Sequence, residues 1–353
     1  MGRRPGAKVT VRAIADEAGV SVATVSRVIN GRDAVAPATQ EMVRRAARRL
    51  GGAVPEPSGP ADPAARPVLV YCPYQLTDYF GPIVTSVLET LALHGREAVV
   101  QAGSSAQTRA PSLLDLPRRA TVAGAVLVLP PSSAQDLRAL HAQRYPLVVV
   151  DPRTELPEDV ASVSAAHTAG ARRLTGHLTS LGHRRIGFVG GPRDWQVTGS
   201  RMAGHAAALS EAGVLVDPAL VRYVEEPSTE RGYRAALSLL AGDPALTAIV
   251  AFNDKTAAGA LRAARERGLR VPEDLSITGF DDSELGRSIL PMLTTARQPL
   301  EEMGRMAVSL LMRLLDGHAI DTLHVELATP LVVRDSTAPV REAAPLVRSN
   351  GSS

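Results

Sequence analysis

Val20-Ser-Val-Ala-Thr-Val-Ser-Arg-Val-Ile-Asn30 decides the reading of this chain, because it carries an entry turn and a short amphipathic helix with a polar outer face. Gly19 supplies the turn, and Ser21 is placed to cap the helix by accepting from first-turn backbone N–H groups. Val25, Val28 and Ile29 recur at i, i+3 and i+4, which makes one apolar face and leaves Val22, Ala23, Ser26 and Arg27 pointing outward. Upstream, a helix beginning at Thr10 puts Val11, Ile14, Ala15 and Ala18 on its own stripe. Two such helices across a tight glycine turn make a helix-turn-helix, whose second helix enters the major groove of DNA. After Pro37 a third helix turns Val43, Ala46, Ala47 and Leu50 inward, with Arg44, Arg45, Arg48 and Arg49 on another face.

Charge points the same way. Residues 1–51 hold ten Arg or Lys and four acids, a net of +6 in a chain whose total is +3, so the remainder is net −3. The positive charge is concentrated where a polyanion would bind.

At 353 residues the chain has room for this headpiece and one or two ordinary domains. A single cysteine, Cys72, excludes an internal disulfide framework and suits a reducing compartment. There is no apolar run of signal-peptide type at the N-terminus and none of membrane-spanning length, so a cytoplasmic protein is expected. Residues 52–66, rich in proline and poor in apolar side chains, are read as a linker between the headpiece (1–51) and a core (67–336), and 337–353 as a disordered tail.

Within the core, short apolar strand candidates (68–71, 98–101, 125–129, 147–150, 186–189, 248–252 and 276–280) alternate with helical patterns (84–94, 166–181, 200–211, 233–240, 257–267 and 300–315). Continuous Val, Ile and Leu runs separated by helices indicate parallel strands buried on both faces. Seven strands exceed one compact sheet with a single switch point, so two α/β lobes are expected. Polar residues follow the strands: Asp151, Gly190-Gly191-Pro192, Asn253-Asp254 and Asp281-Asp282. Ligands of parallel sheets bind beyond the carboxyl ends of the strands, so these groups can converge on an interlobe cleft. Asp is also a common helix cap; that role is assigned to Asp254 and Asp282, and ligand binding to Asp151, Asn253 and Asp281.

From Val9 to Arg334 the chain resembles the LacI/GalR family of bacterial transcription regulators. The resemblance rests on Val9 to Gly31, on His177-Leu-Thr-Ser-Leu-Gly-His-Arg-Arg-Ile-Gly-Phe-Val-Gly-Gly-Pro192, on Asn253-Asp254, on Val271-Pro-Glu-Asp-Leu-Ser-Ile-Thr-Gly-Phe-Asp-Asp282 and on Pro291-Met-Leu-Thr-Thr-Ala-Arg-Gln-Pro299. It implies an operator-binding repressor, a homodimer or a tetramer, with a helical headpiece and a core like the type I periplasmic binding proteins: two lobes with parallel sheets joined by three crossovers. The first lobe would take 67–165 and 297–325, the second 166–296 and a last strand in 326–336. Val22, Ala23 and Arg27 match positions that read bases, and Thr10, Ser21, Thr24, Ser26, Asn30 and Thr39 match positions that hold phosphates. The chemistry agrees, since arginine suits guanine O6 and N7 and small apolar groups suit a thymine methyl. The effector positions that carry over are Asp151, Arg201, Asn253 and Asp281, with Tyr79 and Phe80 at the first lobe's cleft edge. Trp195, in the loop after Gly190-Gly191, is placed to stack on a sugar face.

One stretch departs from the family. Its members follow the third helix with Tyr-x-Pro-Asn and a hinge helix ending in a leucine that wedges into the minor groove. Here Leu50 is followed by Gly-Gly-Ala-Val-Pro-Glu-Pro-Ser-Gly-Pro, whose prolines interrupt a helix.

Other functional classes fit less well. Adjacent carboxylates at Asp281-Asp282 do not flank a scissile bond, and no zinc-protease, Cys-x-x-Cys, phosphate-loop or nucleophile-elbow motif is present, so neither catalysis nor a cofactor or metal is expected. A secreted solute-binding protein would need a signal peptide and would not carry a basic helix-turn-helix. The remaining alternative keeps the DNA-binding fold and places it under a protein partner such as a phosphorylated carrier protein.

Overall fold

The computed structural model describes residues 10–29, 35–51, 66–103, 113–118, 121–318 and 323–340, and the chain divides at Arg66/Pro67 into two compact units. The linker 52–65 lies outside the described residues.

The first unit consists of α1 (Val11–Ala18), α2 (Val22–Ile29) and α3 (Pro37–Arg49). Each start and turn has a local cause. Thr10 Oγ1 accepts from the Ala13 N–H at 3.2 Å, Ser21 Oγ accepts from the Thr24 N–H at 3.1 Å, and Gly19 takes φ 65°, a left-handed turn that costs glycine little. Ile14, Ala15, Ala18, Val25, Val28, Val43, Ala46 and Ala47 form the shared core, and Arg49 reaches Glu17 at 3.4 Å. Val11 and Leu50, both expected to point inward, are each 38% exposed. Val11 opens its helix ahead of the stripe that meets the core, and Leu50 is the C-cap just past the end of α3, beyond the last turn that Ala46 and Ala47 bury.

The second unit holds two parallel sheets. The larger runs β11 (His324–Leu327), β5 (Ser162–Ala165), β4 (Leu147–Val150), β3 (Gly124–Val128), β1 (Val68–Cys72) and β2 (Ala98–Ala102). One face packs Val68, Val70, Val126, Val128, Val148 and Val150 under α4 (Phe80–Leu93) and the helix Leu300–Leu315; the other packs Leu69, Tyr71, Leu127 and Val149 with α5 (Ala134–Ala142). The smaller sheet runs β7 (Val221–Tyr223), β6 (Ile186–Gly190), β8 (Ala248–Ala251) and β9 (Ser276–Thr278). It lies between the pair α6 (His167–Ser180) and α7 (Gln196–Glu211) and the pair α8 (Thr229–Gly242) and α9 (Asp254–Glu266). Burial on both faces is why β1, β3, β4, β6 and β8 read as unbroken apolar runs. Two short strands, β10 (Thr295–Ala296) and β12 (Leu331–Val332), pair antiparallel.

The chain passes between the lobes three times: from β5 into α6, between Arg297 and Leu300, and after Leu327. The third passage falls two residues later than expected, because β11 completes its register on β5 through the Leu327–Ala165 pair. The single last strand expected in 326–336 is accordingly two, β11 ending in the first lobe and β12 in the second. Residues 337–340, expected in the tail, pack on the second lobe. His177 Nε2 meets Thr337 Oγ1 at 3.0 Å, His183 Nε2 meets the Ala338 carbonyl at 3.0 Å, and the Val340 N–H donates to the Leu181 carbonyl at 3.0 Å. Residues 341–353 lie outside the described residues.

Candidate functional site

Between the lobes lies a cavity of about 430 Å³, and its wall is built from strand ends. Tyr74, Tyr79 and Phe80 follow β1, Leu129 follows β3, Asp151 follows β4, Trp195 follows β6, Asn253 follows β8 and Asp281 follows β9, while α7 contributes Arg201. All seven residues expected at an effector site therefore line one cavity. Their separation in sequence is removed by the parallel topology, which sets successive carboxyl ends side by side.

The polar side chains form a connected network. The Tyr79 hydroxyl donates to Asp151 Oδ2, and Asp151 Oδ1 lies 3.1 Å from His167 Nε2. Arg201 is almost fully buried; it donates to the Phe252 carbonyl, lies 3.4 Å from His167 Nδ1 and 3.9 Å from Asp281, and stacks over Phe280 at 3.7 Å. Gln298 Nε2 donates to Asp281 Oδ1 at 2.6 Å. Backbone strain collects here too: Leu129, Asp151 and Asp281 take φ of 45°, 47° and 110°, a region costly for residues with a Cβ. Such strain persists only where surrounding contacts over-determine it.

The electrostatics follow from burial. Burial pushes the Asp151 carboxyl up, but His167, the Tyr79 hydrogen bond and Arg201 outweigh it and hold the group below its ordinary value. Asp281 is pushed up to about 7 by burial, against the pull of Arg201 and with a further push from Asp254; Asp254 itself is raised to about 6, again by burial. Burial likewise lowers the Arg201 guanidinium from its usual value.

Asn253 has a second role, and the assignments of Asp254 and Asp282 change. Asn253 lines the cavity, yet its Oδ1 accepts from the Thr256 N–H at 3.0 Å, so it is the cap of α9. Asp254, expected to cap, instead braces the site from behind, accepting from the Ser283 N–H at 2.7 Å and Thr295 Oγ1 at 2.8 Å. Asp282 is not a cap either. Arg297 at 2.6 Å and Arg334 at 2.5 Å fix its carboxylate and tie the start of the second crossover and the segment after β12 to the loop that follows β9. Residues not singled out from sequence include Gln298, His167 and Leu129. A Gln just before a helix and a Leu ending an apolar run give no pattern signal, and His167 follows a strand whose serines hide it from an apolar-run reading.

In the headpiece, Val22, Ala23 and Arg27 are exposed together on α2. Thr10 and Ser21 are helix caps, Ser21 and Thr24 hydroxyls share a 2.8 Å hydrogen bond, and Ser26 and Thr39 are half-buried. Asn30 lies outside the described residues. Among the described residues no cluster of three or more His, Cys, Asp or Glu could hold a metal ion, and no helix is long and apolar enough to cross a membrane.

A helix-turn-helix unit together, in one chain, with a two-lobed core that holds a polar interlobe cavity defines a class of ligand-responsive DNA-binding proteins. Comparison with known proteins places this chain within it. Residues 10–51 match the bacterial regulatory proteins of the lacI family, and residues 175–337 match the periplasmic binding protein-like domain. The HTH-type transcriptional repressor CytR of Escherichia coli is 32% identical over 337 residues, covering 93% of this chain and 96% of its own length. The HTH-type transcriptional regulator CelR of Thermobifida fusca is 33% identical, covering 95% and 98%. Among solved structures, a CelR–cellobiose complex superposes with a TM-score of 0.69 at 31% identity, covering 93% of this chain and 100% of that one. The lac repressor dimer bound to operator and the anti-inducer ONPF gives 0.69 at 28% identity, covering 94% and 99%. The chain belongs to the LacI family, and is a DNA-binding transcriptional regulator controlled by a small effector.

Proposed function

We propose that this protein is a repressor that binds a two-fold symmetric operator as a homodimer and is released from it, or tightened on it, by a small polyhydroxylated effector held between the lobes. The observation that carries this reading is the single cavity lined by Tyr79, Phe80, Asp151, Trp195, Arg201, Asn253 and Asp281. Carboxylates, a guanidinium and aromatic faces in one enclosed space match the hydroxyls and C–H faces of a sugar-like ligand. A relative solved with cellobiose and one solved on its operator support both halves. Val22, Ala23 and Arg27 read base edges, while Thr10, Ser21, Thr24, Ser26, Asn30 and Thr39 lie toward phosphates. The protein acts by binding rather than catalysis, in the cytoplasm, where its DNA is.

The DNA half is tested by selecting an operator from genomic fragments and measuring specific against scrambled DNA by fluorescence anisotropy. Arg27→Ala is expected to lose about 1–3 kcal/mol of discrimination at one base pair per half-site. An unchanged specificity ratio would overturn the recognition-helix assignment.

A further inference from the structure

Taking the interlobe cavity as the effector site, one buried side chain outside its lining reaches a polar group from each lobe. His167 opens α6, two residues past the end of β5 and so at the first passage between the lobes. It is 8% exposed, and its ring lies against Phe280 with centroids 5.9 Å apart. Nε2 is 3.1 Å from Asp151 Oδ1, in the first lobe, and Nδ1 is 3.4 Å from Arg201 Nη2, in the second.

The chemistry of the two partners fixes which nitrogen carries the hydrogen. A guanidinium offers only N–H donors and keeps its charge, so Nδ1 must accept from Arg201. The neutral ring then carries its hydrogen on Nε2 and donates it to Asp151 Oδ1, a carboxylate oxygen that only accepts. The other tautomer, or an imidazolium, would set a ring N–H against an N–H of Arg201. Donors therefore run one way, from Arg201 to His167 to Asp151, and Tyr79 closes the line by donating to Asp151 Oδ2.

Both ends of this line are anchored within their own lobes. Asp151 takes φ 47° and its Oδ1 accepts from the Ala165 N–H at 3.4 Å, while Arg201 donates to the Phe252 carbonyl and stacks over Phe280 at 3.7 Å. Phe280 thus packs on both His167 and Arg201. Gly170, one turn beyond His167, lets that ring approach, since a Cβ there would stand 2.9 Å from Phe280 Cζ.

We infer that His167 is a positioning residue that holds Asp151 of one lobe and Arg201 of the other in a single arrangement, as its neutral Nε2–H tautomer. Displacing either group at the effector site is then felt in the other lobe through the ring, because a buried group that loses its partner strands the next one in the line.

Two measurements on the full chain, neither with a ligand, test this. In nitrogen-15 NMR of histidine-labelled protein at neutral pH, the signal missing from His167→Gln is expected to show a hydrogen on Nε2 and none on Nδ1. The second is urea unfolding followed by fluorescence of Trp195, the only tryptophan of the chain. Asp151→Asn and Arg201→Lys, which keeps the charge but not the fork, are expected to be non-additive, the second substitution shifting the midpoint by less than half of its shift alone. In His167→Phe, which keeps a ring and removes both nitrogens, the two shifts should add. A residue that only fills space would leave the non-additivity unchanged in that background. A hydrogen on Nδ1, additive shifts in the wild type, or equal non-additivity in His167→Phe overturns the inference. Failure here leaves the cavity standing as the effector site, since that reading is decided by titrating effector into Trp195→Ala.

Discussion

The headpiece and the interlobe cavity put polar side chains to opposite uses. In the headpiece, Thr10 and Ser21 satisfy backbone groups three residues away, and Val22, Ala23 and Arg27 are left exposed with nothing to reorganise. In the cavity, Tyr79, Asp151, His167, Arg201, Asp281 and Gln298 come from both lobes and a crossover, bind one another, and hold two backbones at positive φ. The headpiece polar groups act locally, within one turn of their own helices, while those of the cavity join elements from both lobes. That difference predicts large stability effects in the cavity and small ones in the headpiece.

Removing Arg201 should have the largest effect. Arg201→Met strips the partner from Asp281 and exposes a hollow between Phe252 and Phe280, and breaking a buried charge pair costs about 3–5 kcal/mol. Urea unfolding should show the core transition at much lower denaturant. The loss should be larger at pH 8, where Asp281 is ionised beside Arg201 in the wild type, than at pH 5, where it is protonated; a loss equal at both pH values would mean that Arg201 acts by packing alone.

A smaller effect concerns protons. Asp281 and Asp254 are raised to about 7 and about 6, so the folded state holds protons that the unfolded state has released. Their contribution to stability is fully present below the unfolded carboxylate range near pH 4 and is lost as pH rises through about 7, a slope of up to about 1.4 kcal/mol per pH unit for each group. The groups facing them are Asp151, Arg201, Gln298, Ser283 and Thr295. Asp281→Asn should therefore be more stable relative to wild type at pH 8 than at pH 5 in thermal unfolding; no pH dependence of that difference would refute the buried-carboxylate assignment.

The smallest effect is in the headpiece. Ser21→Ala removes one cap of α2 and should cost about 1 kcal/mol of headpiece stability, seen as faster amide exchange at Thr24, with no change in effector affinity. A change in effector affinity would show that the division of roles between headpiece and cavity does not hold.

The same contrast explains what the amino-acid sequence makes legible. Helix periods and caps are local, so α2, and the helix Leu300–Leu315 to the residue, follow from spacing. Strand-end acids and the motifs shared with the family pointed to seven of the residues that line the cavity. What escaped depends on pairing over distance: β5 (Ser162–Ala165) is half serine and becomes a strand only between β4 and β11, and Gln298 matters only because Asp281 lies beside it. Asn253 took the cap expected of Asp254 while still lining the cavity, because a capping signature does not say which of two adjacent polar residues closes the helix.

The central claim is that cavity occupation and operator binding are linked, and linkage is reciprocal: the factor by which effector changes operator affinity must equal the factor by which operator changes effector affinity. Titrating effector calorimetrically with and without saturating operator, in wild type and Trp195→Ala, measures it directly. The account predicts matching factors in wild type, and operator binding without an effector response in Trp195→Ala. Effector affinity indifferent to operator, or a full response in the variant, would contradict it.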